Sequence, residues 1–258
     1  MRRLIRAAAR LAYRTRGYQE ITLGGERLRT DPDHIGFWRD VSRGRWEPDT
    51  FRFLAQALPP GSVFADIGAW IGPTTLFAAR RSRQVYAFEP DPDAYRYLLW
   101  NLKLNHAHNV VPFHAALGTE TGLRQLWGAE GRLGTSTSSL VPAAGQPSVT
   151  IPTISWNDWI AQVRPGRIDV IKVDIEGGEF DLIPALRDYL AAERPVLHLS
   201  LHAPRIPAEV REDRLRRVLD VLSLYPDWRH DSGGPVDRAS LYQDALRRDC
   251  SLQLAGGR

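Results

Sequence analysis

Five acidic or imidazole side chains fall in two short segments where buried strands are expected to end. The first segment, "VDIEGGE", contains Asp174, Glu176 and Glu179, and the second, "LHLSLH", contains His198 and His202. Carboxylates and an imidazole can bind hydroxyl groups, transfer a proton near neutral pH or hold a hard cation. An extended strand separates His198 from His202 by about 13 Å, so these two histidines are not expected to share a metal ion.

The positions of these residues within their elements separate reactive candidates from structural ones. Glu179 starts a predicted helix, where its charge favours the helix dipole, and His198 lies within a strand, so both are interpreted as structural. His202 follows its strand and is predicted to be a general base, with Asp174 and Glu176 binding or orienting the reacting hydroxyl. A divalent metal held by Asp174 and Glu176 is the alternative that we do not favour.

A glycine turn follows a predicted buried strand in "VFADIGAWIGPTTLFAA" (residues 63–79). Gly68 and Gly72 permit a tight bend before a helix N-terminus, a backbone shape that many nucleotide-binding sites share. A dinucleotide fingerprint has a further glycine where this chain has Trp70. Asp66, just before the turn, suits a cationic ligand better than a pyrophosphate, which favours S-adenosylmethionine over NAD.

Predicted strands alternate with predicted helices after this turn. The core strands are expected in "SVFADIG", "QVYAFEP", "NVVPFHAALG", "IDVIKVDIEG" and "PVLHLSLH", with helices at 74–81, 91–104 and 178–190. This order predicts an α/β fold with a doubly wound, Rossmann-like parallel sheet. Ligands bind beyond the carboxyl ends of such strands, where Ala116 and Glu89 are expected, and Glu89 is predicted to bind ribose hydroxyls. The loop of residues 131–148 is expected to set specificity.

Six segments carry a family resemblance. They are "FADIGAWIG", "VYAFEPDP", "NLKLN…NVVPFHAALG", "TSSL", "IDVIKVDIEGGE" and "LHLSLH", in that order. From about Trp46 to His202 the chain resembles FkbM-type methyltransferases. The resemblance implies a class I fold that uses S-adenosylmethionine to methylate a hydroxyl on a sugar, a glycan or a secondary metabolite. The predicted donor-binding residues are Asp66, Gly68, Ala69, Ile71, Gly72, Glu89, Ala116 and Leu117.

Composition agrees with a globular enzyme. The chain has 258 residues, of which 43% are hydrophobic and 25% are charged. Its single cysteine, Cys250, rules out an internal disulfide and suits a reducing compartment, so a cytoplasmic location is expected. No apolar run approaches the roughly 20 residues of a membrane helix.

The first 16 residues form a separate feature. They contain six arginines and no acid, and their apolar residues recur at helical spacing. We predict a basic amphipathic helix that packs on the domain, is dispensable for catalysis and has at most weak contact with a membrane surface. Residues 1–45 are interpreted as an N-terminal extension and residues 46–258 as the methyltransferase domain.

Three other functions stay open at this point. An NAD-dependent oxidoreductase conflicts with the missing glycine and with Asp66. A nucleic-acid methyltransferase is suggested by a pI of about 9.4, but "DIEG" stands where an Asn/Asp-Pro-Pro-aromatic loop is expected for amino-group methylation. The third alternative is a binding protein that keeps the fold but catalyses no reaction. The sequence identifies neither the acceptor nor the oligomeric state.

Overall fold

A computed structural model describes Tyr13 and residues 15–255. The predicted basic helix of residues 1–16 therefore lies almost wholly outside the described residues. In chain order the elements are β1 (Gln19–Leu23), β2 (Glu26–Thr30), α1 (Ile35–Ser42), α2 (Pro48–Ala57), β3 (Val63–Ile67), α3 (Pro73–Ala79), β4 (Gln84–Phe88), α4 (Pro92–Leu104), β5 (Val110–Phe113), β6 (Ala116–Gly118), β7 (Gly122–Trp127), β8 (Ser148–Ser155), α5 (Trp156–Val163), β9 (Val170–Val173), α6 (Glu179–Ala185), α7 (Arg187–Glu193), β10 (Val196–Leu201), a 3-10 turn (Ala203–Arg205), α8 (Ala208–Leu222), β11 (Asp227–His230), α9 (Arg238–Ala245) and β12 (Cys250–Ala255).

A seven-stranded sheet forms the centre of the molecule, in the order β11-β12-β10-β9-β3-β4-β5. The strands β10, β9, β3, β4 and β5 are parallel, whereas β12 runs antiparallel to both of its neighbours. From β3 the chain adds β4 and then β5 towards one edge of the sheet. It then crosses over, so that β9 pairs with the other side of β3. A crevice opens at such a switch point, beyond the carboxyl ends of the strands. The predicted doubly wound α/β fold is confirmed.

Both faces of the sheet are buried along its central parallel strands, as a parallel sheet requires. All five residues of β3 are buried. Val63, Ala65 and Ile67 pack into one hydrophobic cluster, and Phe64 packs into the cluster on the opposite face. Because successive strand residues point to opposite faces, this alternation places helices on both sides of β3.

Helix boundaries follow local chemistry. Asp91 caps α4, since its side chain accepts hydrogen bonds from two first-turn amides. α2 begins at Pro48, which occupies the first helical turn, where a missing amide N–H costs nothing. The single helix predicted at 178–190 is divided at Leu186 into α6 and α7, with Pro184 in the last turn of α6.

The strand predicted over "NVVPFHAALG" is two strands in two sheets. β5 ends at Phe113 in the central sheet, and β6 leaves to pair with β8 in a three-stranded sheet, in the order β6-β8-β7. This small sheet carries residues 128–147, which connect β7 to β8.

The N-terminal strands pack into the main domain. Ile21, Leu28 and Trp38 share a hydrophobic cluster with Leu76 and Leu98 of α3 and α4. The boundary expected between residues 45 and 46 thus falls within a continuous core. Among the described residues, none of the helices has the length and apolarity to span a bilayer.

Candidate functional site

A cavity lies beyond the carboxyl ends of β3, β4 and β9, at the switch point of the sheet. Gly68, Glu89 and Asp174 line it where these three strands end. Residues 115–117 line a further side, and residues from the connection between β7 and β8 cover it. The fold therefore forms a crevice at the edge of the sheet where the sequence predicts a ligand site.

Gly68 allows the ends of β3 and β9 to approach each other. Its φ is +88°, and a Cβ added there would lie 1.9 Å from the carbonyl oxygen of Asp174. The amides of Gly68 and Ala69 both donate to the carbonyl of Phe88 at 3.0 Å. These amides thus hold β4 in place, and the turn does not present them to an anion.

The prediction for Asp66 requires a correction. Its side chain is fully buried and does not line the cavity. The carboxylate accepts hydrogen bonds from the hydroxyls of Thr74 (2.7 Å) and Thr75 (2.6 Å) and lies 3.8 Å from Lys172 Nζ. Asp66 therefore anchors the start of α3, and its charge does not distinguish a cationic ligand from a pyrophosphate.

Glu89 lies where it was expected, in the wall of the cavity. Its two carboxylate oxygens accept hydrogen bonds from the backbone amides of Trp70 (2.7 Å) and Asp91 (2.8 Å). Burial raises the pKa of Glu89 to about 8, although these two hydrogen bonds oppose the shift. Each carboxylate oxygen has a second lone pair, so the group can still accept ribose hydroxyls.

The other predicted donor residues divide into two groups. Ala116 and Leu117 line the cavity, as expected. Ala69, Ile71 and Gly72 do not line it. They shape the turn instead.

Two residues that the predictions did not include support the turn. Trp70 itself lines the cavity, and Asn101 donates a hydrogen bond to the carbonyl of Ile71 at 2.9 Å. Asn101 also accepts one from the amide of Asp31 at 2.7 Å. The first asparagine of "NLKLN" was the available sequence signal for this contact.

The three predicted catalytic residues meet at one edge of the sheet. His202 Nε2 lies 3.6 Å from Asp174 Oδ1 and 3.7 Å from Glu176 Oε2. Asp174 and Glu176 line the cavity, whereas His202 does not and is only 6% exposed. The imidazole therefore lies behind the two carboxylates.

Glu179 fixes the orientation of His202. One carboxylate oxygen accepts the backbone N–H of His202 at 2.6 Å and lies 3.1 Å from its Nδ1. The other oxygen accepts the amide of Gly177 at 2.8 Å. Glu179 is a positioning residue that sequence reasoning treated only as part of a helix start.

The charges of this cluster argue against the predicted role of His202 as a base. Burial alone would lower the pKa of His202, but the hydrogen bond that its ring donates to Glu179 and the charges of Glu179, Glu176 and Asp174 outweigh this effect and raise that pKa to about 9. The imidazole is therefore protonated at neutral pH. Burial raises the pKa of Glu176 to about 7, partly opposed by His202. Glu176 thus titrates in the range where a general base works best.

Asp174, Glu176 and His202 offer ligand atoms within 4.8 Å of one another, so a divalent cation could bind there. Cations of the protein already face these carboxylates, however. Lys172 Nζ lies 3.3 Å from Asp174 Oδ2, and Arg205 Nε lies 2.7 Å from Glu176 Oε2. A metal ion would have to compete with both, and with the proton on His202.

The connection between β7 and β8 (residues 128–147) is fastened on both sides of the cavity. On one side, the amide of Gly134 donates to Asp91 Oδ2 at 2.7 Å. On the other, the Ser139 hydroxyl donates to the carbonyl of Glu176 at 2.6 Å. These contacts place the connection over the crevice, where a bound ligand would lie beneath it.

The sheet order and the crevice at its switch point define an α/β protein of the nucleotide-binding type. Residues 63–225 match the family model described as "Methyltransferase FkbM domain". The chain belongs to this family of methyltransferases.

The sequence identity to individual relatives and solved structures is low. The hexuronic acid methyltransferase AglP of Haloferax volcanii is 27% identical over 173 residues, which cover 67% of this chain and 69% of AglP. A human tRNA (guanine(37)-N(1))-methyltransferase is 28% identical over 37% of this chain and 20% of its own length. The solved FkbM methyltransferase of Methylobacillus flagellatus KT has a TM-score of 0.48 and 20% identity. That match covers 75% of this chain but only 43% of the solved one.

Proposed function

We propose that this chain transfers a methyl group from S-adenosylmethionine to a hydroxyl group of a sugar or glycan. The observation that carries the proposal is the crevice itself, which has Glu89 in one wall and Asp174 with Glu176 in another. Membership of a methyltransferase family supports the reaction type. The relative named as a hexuronic acid methyltransferase supports a sugar acceptor.

The residues of the crevice fit the donor. Glu89 keeps acceptor capacity for ribose hydroxyls, and Gly68 lets the ends of β3 and β9 converge beside it. Ala116 and Leu117 offer an apolar surface suited to the adenine ring. When bound, S-adenosylmethionine supplies an electrophilic methyl group.

In the proposed reaction, Glu176 takes the proton of the acceptor hydroxyl. The hydroxyl oxygen forms a bond to the methyl carbon as the bond between carbon and sulfur breaks, which yields a methyl ether and S-adenosylhomocysteine. Asp174 positions the acceptor, and the His202 imidazolium balances the charges of both carboxylates. Glu176 replaces His202 as the base because its carboxylate faces the crevice and its pKa lies near neutrality.

Calorimetry and methyl-transfer assays test the proposal together. We expect S-adenosylmethionine to bind, NAD not to bind, and labelled methyl groups to appear on members of a glycan panel but not on tRNA. Glu89→Ala should weaken donor binding by about 1–3 kcal/mol, because ribose hydroxyls lose a hydrogen-bond partner.

The matched control is Glu120→Ala, which removes an acid outside the crevice whose side chain is 65% exposed. Thermal unfolding of both variants shows whether the fold is retained. A folded Glu89→Ala variant with unchanged donor affinity, or a protein that binds NAD in preference, would contradict the proposed donor site.

A further inference from the structure

A second groove adjoins the donor crevice at the candidate base. Glu176 and Ser139 line both spaces. The other walls of this groove, which we call the side groove, include Trp127, Glu130 and Arg205. A molecule in the side groove would therefore lie next to Glu176, which also lines the donor crevice.

We propose that the side groove is the acceptor subsite and that it binds an uncharged sugar ring in preference to an acidic one. The inference rests on the proposed function, since it takes the hydroxyl next to Glu176 as the one that is methylated. It goes further by naming the place of the acceptor and its charge.

The lining of the side groove suits a sugar ring. Trp127 is partly exposed there and offers an aromatic surface on which the apolar C–H face of a pyranose can pack. Thr137, Gln146 and Glu130 add polar groups around it. The side-chain oxygen of Gln146 accepts the amide of Gly131 at 2.8 Å, so its –NH₂ group is oriented away from that backbone and can donate to a hydroxyl.

The charged residues of the side groove disfavour sugars that carry a carboxylate. Two carboxylates line it, those of Glu130 and Glu176, and Arg205 is the one cationic side chain among its described lining residues. That guanidinium already pairs with Glu176 at 2.7 Å and lies 3.7 Å from Asp249. A ligand carboxylate would thus find no cation in this lining that is not already engaged, while Glu130 would repel it, and such like-charge contacts reduce the affinity for the wrong partner.

Matched sugar pairs test this inference on the full chain. The probes are the methyl glycosides of glucose, galactose and mannose, each with its uronic acid counterpart, titrated into protein saturated with S-adenosylhomocysteine. Saturation-transfer NMR measures binding without any need for turnover. We expect at least one neutral glycoside to bind about fivefold more tightly than its uronate, or better.

Variants assign that preference to the side groove. Trp127→Ala should weaken binding of the neutral sugar about three- to tenfold, whereas Trp100→Ala, at a partly exposed tryptophan outside both spaces, should not. Glu130→Gln should reduce the difference in affinity between a neutral sugar and its uronate, and Glu120→Gln should leave that difference unchanged. The wild-type comparison needs no variant, so it decides the matter even where Trp127→Ala fails to fold.

Two kinds of failure are distinguishable. Uronates that bind as tightly as neutral sugars, or protein loaded with S-adenosylhomocysteine that binds none of the six probes, would overturn the inference about the side groove and leave the methyltransferase proposal standing. A protein that binds neither S-adenosylmethionine nor S-adenosylhomocysteine would overturn the proposed function itself.

Discussion

Gly68→Ala tests how closely the ends of β3 and β9 must approach to form the crevice. At φ +88° an alanine is strained, which costs about 1–2 kcal/mol. Its Cβ would also lie 1.9 Å from the carbonyl oxygen of Asp174, a backbone atom that cannot rotate away. Overpacking of this kind typically costs a further ~1–3 kcal/mol. We expect a total loss of about 2–5 kcal/mol in the free energy of unfolding.

Gly61→Ala provides the control. Gly61 has a φ of +91°, nearly the same as Gly68, but an added Cβ there meets no heavy atom within 4 Å. This variant carries the backbone strain without the clash, so it should lose only about 1–2 kcal/mol. The difference between the two variants isolates the contact between the two strand ends.

Urea unfolding of both variants measures these losses, provided that each transition is two-state. Calorimetry with S-adenosylmethionine supplies the second measurement. Gly68→Ala should also weaken donor binding because it forces the two strand ends apart, while Gly61→Ala should leave the affinity unchanged. Equal losses of stability in the two variants would refute the packing argument. A Gly68→Ala variant that binds the donor as tightly as the wild type would show that the turn does not contribute to donor binding.

Two further predictions concern the mechanism. With Glu176 as the base, turnover should rise with pH and level off above about 7, where the carboxylate is ionised; a rise that continues to about 9 would instead indicate His202. Glu176→Gln should lower turnover about 10²–10⁴-fold and remove this transition without changing donor affinity. Exhaustive chelation should leave activity intact, since Lys172 and Arg205 already face the two carboxylates. Loss of activity that magnesium restores would favour a metal at Asp174, Glu176 and His202.

The strands β3, β4, β9 and β10 were predictable because they are buried along almost their whole length and therefore appear in the sequence as short, mainly apolar runs. That β6 leaves the central sheet was not predictable. Residues 110–118 form an apolar run whether the strand stays in the central sheet or leaves it. What decides the outcome is the pairing of Ala116 with Thr153 on β8, a contact between residues far apart in sequence.

Which site residues lie close together was easier to predict than where their side chains point. Asp174, Glu176 and His202 were expected to meet because parallel strands end at one edge of the sheet, and they do. Asp66 also ends a strand, but it pairs in register with Lys172, two residues before Asp174. Its side chain turns to Thr74 and Thr75 within the protein. Those two threonines at the start of a helix were the sequence signal for a buried acceptor.

The choice of base depends on a contact that no local pattern reveals. Glu179 lies 23 residues before His202 in the chain, yet its carboxylate binds both the backbone amide and the ring of that histidine. This contact favours the imidazolium, which raises the pKa of His202 and opposes the rise in the pKa of Glu176. A histidine at a strand end suggests a base when considered alone. With an acid behind it and two acids in front, the same histidine holds its proton, and the carboxylate that faces the crevice is left to accept the one from the substrate.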